Sequence, residues 1–204
     1  MKKPGSGTAT NNDSDWFDYK VNLRIQSIEH LQFARVLECF SGEGKLWDVV
    51  EKKTGKKIYR YKIDANYYPG VDVVGRSETV IKSISLKRYH VIDLDSWGSP
   101  VVHLQILFEK QYKGIIHCTY CSPILLNPDG ILAAEYFNVD KKIIKKCSSL
   151  FAKNTGEMLS NYLKNRGINI IHGHLSEKKL FLFHNSRKMS NLHEIKYKKH
   201  GKYL

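Results

Sequence analysis

Val36-Leu37-Glu38-Cys39-Phe40-Ser41-Gly42-Glu43-Gly44-Lys45-Leu46-Trp47 is the stretch on which the rest of the chain turns. It opens as a β-branched apolar run, the composition of a buried strand. It closes in a helical pattern from Lys45 to Lys53, with Leu46, Val49 and Val50 on one face. Gly42 and Gly44 stand at the crossover, where glycine permits a positive φ and lets a ligand come close to the backbone. The first turn of the helix leaves unpaired N–H groups beside that loop. Strand, glycine turn and helix together predict a nucleotide-type pocket. The dinucleotide fingerprint is incomplete, because Trp47 stands three places after Gly44, where a third glycine belongs.

The next strand adds to this. Lys57-Ile58-Tyr59-Arg60-Tyr61-Lys62-Ile63 alternates and ends at Asp64. That acid follows Gly44 at the spacing expected of a ribose-binding carboxylate, about 20 residues. The pattern Glu38-x-x-x-Gly42-x-Gly44, with an acid closing the second strand, resembles the class I S-adenosylmethionine-dependent methyltransferases. Leu37-Glu38-Cys39-Phe40-Ser41-Gly42 is similar to the "LDxFxGxG" first motif of the nucleic-acid members. The resemblance implies S-adenosyl-L-methionine as cofactor. It implies Glu38, Cys39, Phe40, Ser41, Gly42 and Gly44 around the methionine part, and Asp64 with its neighbour Ala65 at the ribose. The residues alone leave another Rossmann-type nucleotide binder as the alternative.

Composition bounds the classes. A chain of 204 residues suits one domain with a full core, and 42% apolar residues is globular composition. No window reaches the length of a membrane span. The basic start, Met1-Lys2-Lys3, has no apolar segment behind it, so no secretory signal is expected. Lys plus Arg number 33 against 20 Asp plus Glu, a net charge of +13. Such an excess predicts a polyanion partner, since phosphates attract lysine-rich surfaces and release counterions. A lysine-rich proteome, in which charge serves only solubility, is the alternative. Four cysteines, Cys39, Cys118, Cys121 and Cys147, make no disulfide framework in a chain this long, and a cytoplasmic setting is expected. Cys118-Thr119-Tyr120-Cys121 has C-x-x-C spacing but no second pair, and residues three apart on a strand face opposite ways. Buried thiols, and no metal, are the expectation.

In chain order, residues 1–14 read as a disordered arm, 15–187 as one α/β domain and 188–204 as a basic tail. Trp16, Tyr19, Leu23, Ile25 and Ile28 fall near helical period. Strands are expected from Phe33 to Glu38, Lys57 to Ile63, Val71 to Val74, Tyr89 to Leu94, Gly114 to Tyr120, Ile168 to His172 and Lys179 to Phe183. Helices are expected from Lys45 to Lys53, Ser77 to Ser85, Pro100 or Val101 to Tyr112, and Lys141 to Arg166 with a break near Asn154-Thr155-Gly156. The resemblance implies a Rossmann-like seven-stranded, mostly parallel sheet with helices on both faces and an antiparallel last strand. At the start of the helix after strand three, Arg76 and Ser77 either border the adenine, as the resemblance implies, or cap the helix, with Ser77 as N-cap.

Asp93-Leu94-Asp95-Ser96-Trp97-Gly98-Ser99-Pro100, where strand four ends, carries the chemistry. Methyl transfer to an exocyclic amine needs the amine held in line, its hydrogens accepted, and its base sandwiched against rotation. Asp95 is the candidate acceptor of the amine hydrogens, and Trp97 the candidate stacking ring. The stretch resembles the "DPFGSP" motif of the tRNA guanine-N2 dimethyltransferase family in Asp95, Gly98, Ser99 and Pro100, with Trp97 for Phe. Ser96 departs from it, standing where that family has Pro, and so puts the loop shape and the target atom in doubt. The stretch also departs from the "[DN]PP[YFW]" motif of adenine and cytosine N-methyltransferases. Asp93 shares a strand face with Asp95 and either reaches the cofactor or braces the loop. Turn formation for Asp95 and core packing for Trp97 are the structural alternatives. These residues point to methyl transfer onto nucleic acid, RNA in preference to DNA. A protein or small-molecule methyltransferase, or a non-catalytic cofactor-binding module, is the alternative. The sequence sets no oligomeric state.

Overall fold

A computed structural model describes residues 14–96, 100–121, 139–147, 161–168, 171–175, 179–185, 198–199 and 202–203. Helix α1 (Ser14–Ile28) leads into β1 (Phe33–Cys39), an interior strand of the sheet between β2 and β4. Phe33 and Arg35 at its start are exposed, whereas Val36 to Cys39 are buried on both faces, as a strand inside a parallel sheet requires. α2 (Lys45–Thr54) leads to β2 (Lys57–Asp64) and the short β3 (Val73–Val74). α3 (Ser77–Ser83), β4 (Val91–Leu94), α4 (Val101–Glu109) and β5 (Ile115–Cys121) follow. After α5 (Lys141–Lys146) and a helical stretch at 161–165 come β6 (Ile171–Leu175) and β7 (Lys179–Asn185). A two-residue pairing of β8 (Lys198–Lys199) with β9 (Lys202–Tyr203) lies within the expected basic tail.

The sheet order is β3-β2-β1-β4-β5-β7-β6. Five strands, β3 to β5 in that order, are parallel neighbours. β7 runs antiparallel between β5 and β6. This is the expected Rossmann-like α/β arrangement. Two cores cover the two faces, as right-handed crossovers require. Val21, Ile28, Ala34, Val36, Trp47, Val50, Ile58 and Val91 pack α1 and α2 on one face. Leu37, Cys39, Ile63, Ile81, Ile92, Leu94, Leu104 and Leu107 pack α3 and α4 on the other. Val36 and Leu37 part company because successive strand residues point to opposite faces.

Several boundaries shift. β3 is Val73–Val74, shorter than expected, because it pairs only with Ile63 and Asp64. β6 starts at Ile171 and takes in His174 and Leu175, since its register is set by pairing with β7 and not by its own apolar run. α3 and α4 end earlier, at Ser83 and Glu109, and Pro100 caps α4 from the residue before its first turn. From Phe17 onward on α1 the buried residues are Val21, Leu23, Arg24, Ser27 and Ile28, whereas Tyr19 and Ile25 are only half-buried, and the Trp16 side chain lies outside the described ones. The first thirteen residues, the break near Asn154, residues 189–197 and Trp97-Gly98-Ser99 lie outside the described residues.

α1 is tied to the sheet by charge as well as by apolar contact. The Arg24 guanidinium is 3% exposed and donates from Nε and Nη2 to the two oxygens of Asp93, both at 2.7 Å. Trp47 Nε1 donates to the same carboxylate at 2.6 Å. Arg24 Nη1 also donates to the Lys20 carbonyl at 3.0 Å. The Ser27 hydroxyl donates to the Arg24 carbonyl at 2.8 Å, so its oxygen accepts from His117 Nε2, 2.8 Å away. Burial, then the Arg24 charge, depresses the His117 pKa far below its ordinary value, so the ring is neutral. Planar bidentate pairing suits arginine, and a buried carboxylate needs such a partner.

This network generates a test. Arg24→Met leaves a carboxylate buried without its cation, which costs about 3–5 kcal/mol. Arg24→Lys recovers only part, because a point charge cannot make the two-pronged contact. Arg24→Met with Asp93→Asn is expected to be more stable than Arg24→Met alone, measured by urea unfolding. Losses that simply add would show that the two residues are not coupled.

Candidate active site

The loop leaving β1 is bent by three left-handed residues, Phe40 (φ 66), Gly42 (φ 51) and Gly44 (φ 76). For Phe40 that conformation costs about 1–3 kcal/mol, so the surroundings must hold it. They do so through His103 on α4, whose ring meets the Phe40 ring edge-on at 4.9 Å. His103 Nε2 lies 2.8 Å from the Ser77 hydroxyl at the start of α3. Burial pushes the His103 pKa down to about 4, so the clamp is uncharged at neutral pH. The Ser41 N–H donates to the Ile63 carbonyl at 3.0 Å, and the Gly44 N–H to the Ser41 carbonyl at 2.8 Å. Gly44 then serves as the N-cap of α2. The open space at Gly42, where a Cβ would meet nothing within 4 Å, leaves room above the loop.

Asp64 stands where β2 ends and closes the loop from the side. One carboxylate oxygen accepts from the Gly42 N–H at 2.9 Å and the other from the Asn66 N–H at 2.9 Å. Each oxygen keeps a lone pair for a ligand hydroxyl. Ala65 beside it is exposed. Glu38, near the end of β1, is the buried acid before the loop. It is 5% exposed, and its Oε2 has no hydrogen-bond partner among the described residues. Arg60 comes no nearer than 3.8 Å. Burial, then the neighbouring Asp93, raises the Glu38 pKa to about 8. The buried Ser41 hydroxyl also lacks a partner among the described residues. Both atoms are left able to bond a ligand or an ordered water. Arg60 and Lys62 reach across Gly44, within 3.0 and 3.1 Å of where its Cβ would lie, so two cations flank the loop. Amine-binding acids, open backbone and nearby cations fit the amino acid part of S-adenosylmethionine, and Asp64 fits its ribose.

Other expected positions fall elsewhere. The Cys39 side chain belongs to the apolar core under α3 and α4, leaving only its backbone at the loop, and burial raises its thiol pKa. Ser77 is not the N-cap: Arg76 holds that position, and the Ser77 hydroxyl is spent on His103. The Arg76 side chain is 80% exposed and pairs with Glu78. Asp93 has both oxygens engaged by Arg24 and Trp47, so it braces the sheet.

Asp95 has a more defined setting than sequence suggested. Lys20 Nζ donates to both of its oxygens, at 2.6 and 2.8 Å, and the Thr119 hydroxyl donates to Oδ1. Lys20 and Asp95 side chains are each 19% exposed. Burial works against its charge, but Lys20, then Arg24, then the Thr119 contact hold the carboxyl below the usual range. Asp95 is therefore an ionised acceptor and a weak base. Ser96 is buried, its hydroxyl 3.5 Å from the Thr119 carbonyl. Lys20 and Thr119 escaped the sequence argument. Their only signal was a lysine one turn before Arg24 on α1 and a threonine two places after His117.

No family model matches the sequence, and no curated relative does. The fold is similar to that of the plantazolicin methyltransferase BamL, solved with a triazolic desmethylPZN analog and SAH. The two share 11% identity over 84% of each chain, with a TM-score of 0.50. The related BpumL, solved with the same analog and SAH, has 12% identity over 87% of each chain and a TM-score of 0.48. A SAM dependent methyltransferase from Archaeoglobus fulgidus has 14% identity over 81% of this chain and 92% of that one, with a TM-score of 0.47. At such identities the likeness is one of fold.

Glu38 makes the loop testable through pH. Its carboxyl titrates near 4.5 when unperturbed and near 8 in the folded chain. The folded state thus keeps a proton that the unfolded state has lost. Stability falls as pH rises from about 4.5 to about 8 and is then level. Glu38→Gln removes this slope and is expected to exceed the parent at pH 8 by more than about 1 kcal/mol. Thermal unfolding at pH 5 and pH 8 measures it. An unchanged pH dependence in the variant would assign the slope to other groups.

Proposed function

We propose that the chain is an S-adenosylmethionine-dependent methyltransferase acting on nucleic acid, RNA rather than DNA, at an exocyclic base amine. One observation carries the cofactor: Asp64 pinned to the Gly42 N–H beside a buried Glu38 oxygen that has no partner among the described residues. Asp64 would hold the ribose hydroxyls, and Glu38 would meet the amino group of the methionine part. Arg60 and Lys62 are placed for its carboxylate. When bound, the cofactor supplies an electrophilic methyl group.

The chain's own residues orient the acceptor. Asp95 stands where β4 ends, next in line from the glycine loop on β1. Its charge would accept the hydrogens of the amine and gain strength as positive charge builds on nitrogen. Lys20 and Thr119 hold that carboxylate in place and keep it ionised. Trp97, by its place two residues on, is proposed to stack on the base, and Ser96 to shape the turn between them. The nucleic-acid choice is supported by the +13 charge and by the Asp95-Ser96-Trp97-Gly98-Ser99-Pro100 motif. BamL, a plantazolicin methyltransferase, is solved with a desmethylPZN analog and not a nucleic acid, so a peptide or small molecule is the substrate to set against RNA.

Asp64→Ala is expected to weaken cofactor binding by about 1.5–3 kcal/mol per lost bond, read by calorimetry. Asp95→Ala is expected to slow methyl transfer by about 10²–10⁴-fold with cofactor affinity kept. Ser96→Pro is expected to keep or raise activity. The assay is labelled-methyl incorporation into transcripts and into peptides, followed by nucleoside analysis. Label on peptide alone would overturn the substrate. Cofactor binding without turnover on either would leave a binding module.

A further inference from the structure

The edge of the sheet opposite the glycine loop carries a second concavity. A cavity of about 630 Å³ lies below the starts of β4 and β5, and none of the glycine-loop residues line it. β1 is seven residues long, which separates the two edges by roughly 20 Å. Lys87, Lys110, Lys113, His30, His90 and Tyr112 are among its walls, and no acidic residue lines it among the described residues. Its volume is that of a small-ligand site.

The cavity wall is built. Gln111 holds a left-handed φ of 51°, rare for a residue other than glycine. A Cβ on Gly114 would meet the Tyr112 hydroxyl at 2.0 Å and the His90 carbonyl at 2.7 Å, so the chain must be bare there. The Tyr112 hydroxyl donates to the Tyr89 carbonyl at 3.2 Å, and Lys110 Nζ to the Ile84 carbonyl at 2.9 Å. Lysine at the ends of α3 and α4 also answers their dipoles, but that alone calls for no cavity.

From His90 the surface continues as rings and cations. The His90 ring lies 5.4 Å from Phe33, and Phe33 meets Tyr59 edge-on at 6.0 Å. Phe33 is 37% exposed and Tyr59 54%. Arg35 covers Phe33 at 5.5 Å, and Lys57 covers Tyr59 at 5.8 Å. Exposed rings interleaved with cations, beside a lysine-walled hollow, have the chemistry of a single-strand binding surface. Bases stack on the rings and phosphates sit among the amines.

We propose that this edge binds one strand of single-stranded nucleic acid, a phosphate in the lysine-walled cavity and a base against the Phe33–Tyr59 pair. The site goes beyond methyl transfer and stands without it, since binding is read with no cofactor and no turnover. The probe is a fluorescent single-stranded oligoribonucleotide titrated with the full chain and followed by anisotropy. Lys87→Glu with Lys113→Glu is expected to weaken binding by about ten-fold or more. Ser85→Trp, an exposed cavity-wall position, is expected to do the same by filling the hollow. Tyr59→Ala is expected to cost about five-fold or more. Lys52→Glu with Lys142→Glu, exposed positions on α2 and α5 with the same charge change, serves as control and is expected to cost less than about three-fold. An equal loss in the control, unchanged affinity in the cavity pair and Ser85→Trp, or a duplex bound as tightly as the single strand would each overturn the proposal.

Discussion

The bidentate contact between Arg24 and Asp93 is the constraint on which the rest depends. It joins the first helix to the central strands through a pair of charges that water cannot reach. Neither residue can be buried without the other. Trp47 adds α2 to the same carboxylate, so two helices and β4 share one anchor. The arrangement fixes α1 at an angle that brings Lys20 to Asp95. The proposed acceptor is thus positioned by a helix far away in sequence, and the helix by the salt bridge that its own Arg24 makes with β4.

The anchor belongs to a row. Lys62, Glu38, Asp93 and His117 stand in register on four neighbouring strands, on the face covered by α1 and α2. Two carboxyl groups side by side in a dry layer cannot both ionise cheaply. Arg24 stabilises the charge on Asp93, and Glu38 is left holding its proton near neutral pH. A cationic amine arriving at Glu38 would release that proton. The same burial that makes Glu38 a receptive partner lowers the stability of the empty fold, a common trade at binding sites.

Much of the fold was legible because its signals are local. The glycine loop, Asp64 and the alternation of β1 with β2 are short-range patterns, and Gly55 ends α2 as its left-handed cap. β6 and β3 were misplaced because their bounds are set by their neighbours, and an apolar run does not announce its register. Ser77 has the composition of a cap, yet a histidine far along the chain claims its hydroxyl. Arg24 and Ser27 were passed over on α1 because attention to apolar period leaves out the charge that breaks it. An arginine on a helix stripe otherwise lined by Val21, Leu23 and Ile28 is the signal that could have been used.

β7 has a consequence for how the chain is made. It lies between β5 and β6 although it follows both in sequence. As the polypeptide emerges from the ribosome, β1, β2 and β4 can pair early, but the free edge of β5 waits until Lys179–Asn185 has been synthesised. During that interval Ile115, Ile116 and Cys118 form the border of an unfinished sheet, open to pairing with another nascent chain. Pairing β7 with β5 also closes the long segment from Cys121 to Lys179, which is slow. The chain is therefore expected to lean on chaperones during translation more than its final structure would suggest, and a stop before Lys179 would yield a sticky product and not a smaller enzyme.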